Sequence, residues 1–251
     1  MKIGILQTGR SPEHLRVKHG DYNDMFINLL AGRGFEFVTY PVLDGVFPDS
    51  AREADGWLIS GSKFSAYDEF DWIERLQSFL RQAYEKKIPI IGICFGHQIL
   101  AQALGGRVEK YSKGWSAGIK EYADFKGQNV FKIPAWHQDQ VVELPKGAKV
   151  IASSDFCPYA MLEYGDRALS LQPHPEFSIG FLADLIEARK DILPANITKE
   201  AKREVALTFA GRGAEDEQKL EAKRLAYKFE EFFKRPRNNK TRNREDQQGQ
   251  L

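Results

Sequence analysis

The sequence predicts an α/β protein with a central, mostly parallel sheet flanked by helices and a smaller antiparallel part. Three observations predict it. Strand-like apolar runs alternate with helical periodicity through the first hundred residues, as βαβ units do. Residues 108–171 then break into short runs separated by turn residues, as antiparallel strands do. Beyond Phe177 helical spacing returns.

Taken in order, Ile3 to Leu6 reads as the first strand. Tyr22, Met25, Phe26, Leu29 and Leu30 recur at helical spacing before the stop at Gly32-Arg33-Gly34. Phe35 to Tyr40 is the next strand and Trp57-Leu58-Ile59 the third. Trp72, Ile73, Leu76, Phe79, Leu80 and Ala83 mark an amphipathic helix ending near Lys87, and Ile88 to Ile93 is the fourth strand. Val141-Val142-Glu143-Leu144, followed by Pro145-Lys146-Gly147, typifies the antiparallel part. Ala222, Leu225, Ala226, Phe229 and Phe233 form a last apolar stripe that is expected to pack on the main body. Residues 1–234 are read as one domain. Arg235 to Leu251 carries no apolar residue before Leu251 and is expected to be a solvated tail.

The chain has 251 residues, 42% hydrophobic and 28% charged, with a formal net charge of +1. That balance argues against nucleic acid or an anionic membrane as the partner of the whole molecule. The N-terminus lacks a signal-peptide pattern and no apolar run approaches the ~18 residues of a membrane span. The two cysteines, Cys94 and Cys157, are too few for a disulfide framework and lack zinc-ligand spacing. A soluble protein of the reducing cytoplasm, with no metal or cofactor, is expected.

The chemistry is concentrated in two segments. In Gly92-Ile93-Cys94-Phe95-Gly96-His97-Gln98 an apolar strand runs into a helix through a Gly-x-Cys-x-Gly turn, a nucleophile elbow that lifts Cys94 above the sheet edge. The unpaired amides at the helix start favour a thiolate there. A buried structural cysteine is the plainer reading, which the flanking glycines disfavour. Downstream, Gln172-Pro173-His174-Pro175-Glu176 supplies a base and an orienting carboxylate. Pro175 biases His174 toward an extended backbone, and residues i and i+2 of an extended chain project to the same side. Alone, the second segment reads equally as a surface turn.

Together the two segments resemble the class I glutamine amidotransferases, whose pattern is Gly-x-Cys-x-Gly-x-Gln followed far downstream by Gln-x-His-Pro-Glu; the likeness covers roughly residues 1 to 190. It implies the flavodoxin-like fold of that family and a catalytic triad of Cys94, His174 and Glu176 acting through a γ-glutamyl thioester. It also implies an oxyanion hole from the amides of Gly61 and Phe95, and substrate contacts from Gln98, Ser62, His137 and Asp139. Gln98 reads alternatively as a polar residue of the first helical turn, and His137 as a surface side chain. Lys63, Asp68, Glu69 and Arg75 are all near enough in sequence to the Gly61 loop to meet the substrate's charged ends, and the sequence does not choose among them. His97 is expected to support the site. His14, His19 and Cys157 receive no role.

The implied substrate is glutamine or another γ-glutamyl compound. Because no Gly-rich phosphate loop follows Glu176, the chain is read as a stand-alone hydrolase or transferase, as the likeness to γ-glutamyl peptidases of the superfamily suggests. Two alternatives stand beside it: a glutaminase subunit serving a separate synthase partner, and a non-catalytic binding module. An α/β-hydrolase is disfavoured because its acid precedes the histidine, whereas Glu176 follows His174.

Overall fold

A computed structural model describes residues 1–124, 127–211 and 213–236. The expected tail therefore lies, from residue 237 onward, outside the described residues.

Four parallel strands of the first half appear where the apolar runs stand: β1 (Lys2–Leu6), β2 (Glu36–Tyr40), β3 (Gly56–Ile59) and β4 (Ile90–Ile93). β1, β3 and β4 read as nearly unbroken apolar runs because both faces are covered, whereas β2, at the sheet edge, mixes Glu36 and Thr39 with apolar residues and is only partly buried. Leu6, Trp57, Ile59 and Ile90 face one apolar layer, together with Leu76, Phe79 and Leu80 of α3 (Asp71–Glu85) and Leu100 of α4 (Phe95–Ala103). Ile3, Ile5, Leu58, Ile91 and Ile93 face the opposite layer, with Phe26 of α2 (Tyr22–Leu29) and Phe229 and Phe233 of α7 (Ala214–Lys234). The C-terminal stripe is thus core. A short helix, α1 (Glu13–His19), precedes α2. The fourth strand starts two residues later than the sequence suggests. Lys87 turns the chain with a positive φ of 58°, and sheet pairing begins at Ile90.

The remaining strands are β5 (Arg107–Lys110), β6 (Ser116–Asp124), β7 (Val130–His137), β8 (Asp139–Glu143), β9 (Lys149–Ser153), β10 (Met161–Tyr164) and β11 (Ala168–Leu171). Among the described residues the main sheet has nine strands in the order β2-β1-β3-β4-β11-β10-β9-β6-β7, with a separate pair β5-β8. Strands β2, β1, β3, β4 and β11 are parallel, and the pairings from β11 through β7 are antiparallel. Most of the antiparallel part is therefore a continuation of the parallel sheet. Helices α5 (Ile179–Ala188) and α6 (Ala195–Ala210) follow β11.

This topology positions the site. The order runs outward from β1 in both directions, and an open α/β sheet binds ligands at the carboxyl ends of its strands beside such a reversal. The segments leaving β1, β3, β4 and β11 all emerge at that end. Phe229 is fully buried beneath the sheet. Phe229→Ala is expected to cost about 3–5 kcal/mol, the usual loss for a buried phenylalanine, read as a lowered urea midpoint with little change in slope.

Candidate active site

Cys94 closes β4 and precedes the first turn of α4, with φ 53° and ψ −105°. A non-glycine residue in this region carries strain of about 1–3 kcal/mol, which a rigid surround must hold. The surround is built from the flanking glycines. A Cβ on Gly92 would collide with the carbonyl of Gly96, and one on Gly96 would come 2.5 Å from the carbonyl oxygen of Ile59. Only glycines let the helix approach the strands this closely. The strand side is pinned by a hydrogen bond from the Cys94 N–H to the Leu171 carbonyl at 2.8 Å. The sulfur lies 3.8 Å from the Trp136 carbonyl oxygen.

His174 arrives from the parallel neighbour β11, its N–H donating to the Pro134 carbonyl at 2.8 Å. Its Nδ1 lies 2.8 Å from Glu176 Oε1, but the segment is not extended: Pro175 and Glu176 form a turn closed by the Phe177 N–H donating to the His174 carbonyl at 3.3 Å, and the turn folds the carboxylate back onto the ring. The Phe177 ring stacks on the imidazole at 4.0 Å between centroids, 10° from parallel, and fixes its plane. His174 Nε2 is buried without a hydrogen-bond partner, as is Glu176 Oε2. Burial alone would push the imidazole toward neutrality. The negative charges of Glu176 and the Cys94 sulfur overcome this and raise it to about 10.

The loop after β3 comes over this group. A Cβ on Gly61 would stand 3.2 Å from His174 Cε1 and 3.8 Å from Cys94 Cβ, so the loop backbone lies directly against both side chains. It is tied to the segment after β1. Thr8 Oγ1 donates to the Gly61 carbonyl at 3.1 Å, and Ser62 Oγ donates to the Thr8 carbonyl at 2.7 Å. Phe95, buried, is the first residue of α4, where no preceding turn accepts its N–H.

A cavity of about 450 Å³ opens over Cys94. Ser62, Gln98, His137 and Asp139 all line it. Gln98 is partly committed: its Nε2 donates to the Asp139 carbonyl at 2.8 Å and to Gln172 Oε1 at 3.1 Å. Asp139 Oδ2 accepts from Ser65 Oγ at 2.6 Å. Of the four charged residues near the Gly61 loop, Lys63 and Asp68 line the cavity. Glu69 and Arg75 border a different depression, beside Phe47 and Trp72. His97 is fully buried and its Nδ1 lies 2.7 Å from Ser170 Oγ, in the layer behind the sulfur. His19 pairs with Asp184 at 2.6 Å, His14 is exposed, and Cys157 is buried with its thiol pushed up to about 12. Among the described residues no group of three or more His, Cys, Asp or Glu side chains could hold a metal ion, and no helix is long and apolar enough to cross a membrane.

The sequence pattern described as glutamine amidotransferase class-I matches residues 20–186, two thirds of the chain. The chain belongs to this family. Gamma-glutamyl peptidase 3 of Arabidopsis thaliana is 31% identical over 190 residues, 70% of this chain and 76% of the relative. The GMP synthase [glutamine-hydrolyzing] of Azoarcus sp. is 32% identical over 136 residues, 48% of this chain and 25% of the relative. A solved glutamine amidotransferase of Thermotoga maritima superposes with a TM-score of 0.74 at 21% identity, covering 93% of this chain and 98% of that one, which shows the shared fold.

Several cavity residues of this chain stand outside the family motifs. Tyr22, Trp115 and Arg189 come from α2, from the segment before β6 and from the end of α5. Phe177, which stacks on His174 without lining this cavity, also went unassigned, although it follows His174 by only three residues. The buried histidines are expected to make the fold sensitive to acid. Burial, with the charge of His137 for His97 and of His174 for His137, lowers both to about 3. Both are neutral when folded, whereas the unfolded chain protonates them near 6.5. The stability they contribute is therefore present above pH 6.5 and lost as pH falls, by about 1 kcal/mol for each between pH 6.5 and 5.5. His174, whose folded state is fully protonated and whose unfolded state becomes so as pH falls through about 6.5, opposes this by only about 0.3 kcal/mol over the same window. Urea midpoints between pH 6.5 and 5.5 should fall accordingly, and His97→Asn should remove about half of that slope.

Proposed function

We propose that the chain cleaves a γ-glutamyl amide bond by itself, through a γ-glutamyl thioester on Cys94. The observation that carries this reading is Cys94 in its strained elbow on the floor of an open cavity, beside a His174 whose other nitrogen is held by Glu176. Sγ attacks the γ-carbonyl carbon, and the proton it gives up resides on His174 Nε2, a state that the Glu176 charge supports. The negative oxygen of the tetrahedral stage is held by the N–H groups of Gly61 and Phe95. His174 then hands its proton to the departing nitrogen, the C–N bond breaks and the amine leaves. Water, or an acceptor amine, attacks the thioester while His174 takes its proton, and the glutamyl group departs as glutamate or as a new γ-glutamyl amide. Gln98, Ser62, His137 and Asp139 shape the glutamyl seat. Residues 1–234 form the working unit, and a reducing cytoplasm suits its thiol.

The stand-alone reading is supported by the γ-glutamyl peptidase relative, which aligns over 76% of its own length. The Azoarcus GMP synthase relative favours a second reading, a glutaminase subunit serving a separate synthase. Amine release from glutamine and from a panel of γ-glutamyl amides and peptides, measured with no partner added, separates the two. Robust turnover of one compound is expected. Silence across the panel, with Cys94 still alkylated by an electrophilic glutamine analogue, would favour the subunit.

A further inference from the structure

The charges around the cavity do not balance for glutamine. Lys63, Lys110, Arg10 and Arg189 line it, against Asp68 and Asp139. Arg10 is occupied by Asp44. Lys63, Lys110 and Arg189 have no carboxylate partner among the described residues, Lys63 lying over the Phe64 ring at 5.2 Å, which leaves three cations without a carboxylate facing two acids. The glutamyl end of any substrate, with one carboxylate and one ammonium, engages one cation and one acid. Lys63 and Asp68 lie on the loop after β3, beside Gly61, and fit that end. Glutamine and other γ-glutamyl amides with a neutral leaving amine bring nothing more. A γ-glutamyl amino acid or peptide brings a second carboxylate, on the leaving side, and a net charge of −1 at neutral pH.

The geometry points to Arg189 as the residue that receives a carboxylate on the leaving amine, so that the preferred substrate is a γ-glutamyl amino acid or peptide. This assignment rests on the γ-glutamyl reading above. Arg189 caps α5, the helix whose apolar face packs with Trp115 and Trp136, and so enters the cavity from a different element than the Gly61 loop. It is half-buried, while Lys63 and Lys110 are exposed. A guanidinium that is partly withdrawn from water and unpaired matches a carboxylate with two parallel hydrogen bonds, and it does so more strongly than an exposed ammonium. Lys110, on the open rim, adds field without a fixed seat.

The test compares γ-glutamyl-glycine with γ-glutamyl-glycinamide, which differ only in the carboxylate, by calorimetric binding to the Cys94→Ala protein. The free acid should bind about tenfold tighter or more, the scale of one charge-assisted contact. Adding Arg189→Gln should bring the two dissociation constants to within about threefold of each other, and Arg189→Lys should restore part of the difference. Equal or absent binding of the pair in the parent, or a preference that Arg189→Gln leaves intact, would overturn the assignment. A clear binding preference without any turnover by the Cys94 protein would instead count against the hydrolytic reading and leave the carboxylate seat standing.

Discussion

The Cys94→Ala protein is expected to lose γ-glutamyl hydrolysis by about four orders of magnitude or more, while remaining folded. Removing a nucleophile eliminates the covalent route, and what survives is the modest rate that binding and oxyanion contacts give to a water attack. The fold should tolerate the change because alanine is smaller than cysteine and because the elbow is held by the Gly92 and Gly96 contacts, not by sulfur. Amine release on the best substrate, paired with a urea melt, measures both halves. A variant that keeps wild-type turnover would remove Cys94 from the chemistry.

The second large effect is expected at Glu176. Its carboxylate is almost wholly buried and makes the contact to Nδ1 that sets which nitrogen of His174 faces the sulfur. In Glu176→Gln the shape is kept but the charge is lost, and an amide N–H turned toward Nδ1 would leave Nε2 protonated and unable to accept. A loss of about 10²–10⁴ in kcat follows, with KM changed much less. The same substitution should bring the His174 titration down from about 10, because the largest charge raising it has gone. Kinetics and the ring signals of His174 in NMR test the two effects separately. A purely structural role for Glu176 would lower stability without moving that titration.

Much of this site was legible in the sequence because its chemistry is local. Seven contiguous residues hold the strand, the two glycines, Cys94 and the helix start, and five more hold His174 with its carboxylate at i+2. Strands β1, β3 and β4 were legible for a related reason, since burial on both faces writes them as continuous apolar runs, whereas β11, which lies in the segment read as antiparallel, pairs parallel with β4. Where the sequence reading stopped short, the cause was distance along the chain. The antiparallel strands merge with the parallel sheet through β11, whose partners β4 and β10 lie on opposite sides of it, and no local pattern encodes that junction. The tie between Gln98 and Gln172 joins residues 74 positions apart. Tyr22, Trp115 and Arg189 reach the cavity from three separate elements, and each reads alone as an ordinary helix or loop residue. Helix α1 escaped notice because only Leu15 of its seven residues is buried, too little to write an apolar stripe.

The most direct test of the account is to catch the acyl-enzyme. The purified chain, with no partner added, is mixed with γ-glutamyl-glycine, quenched in acid within the first turnovers, and followed by intact mass and peptide mapping. One γ-glutamyl group per chain is expected, on Cys94, absent from Cys94→Ala and accumulating in Glu176→Gln only at the reduced rate of its first step. Turnover with no acylated cysteine, or a γ-glutamyl group on Cys157 in place of Cys94, would contradict it.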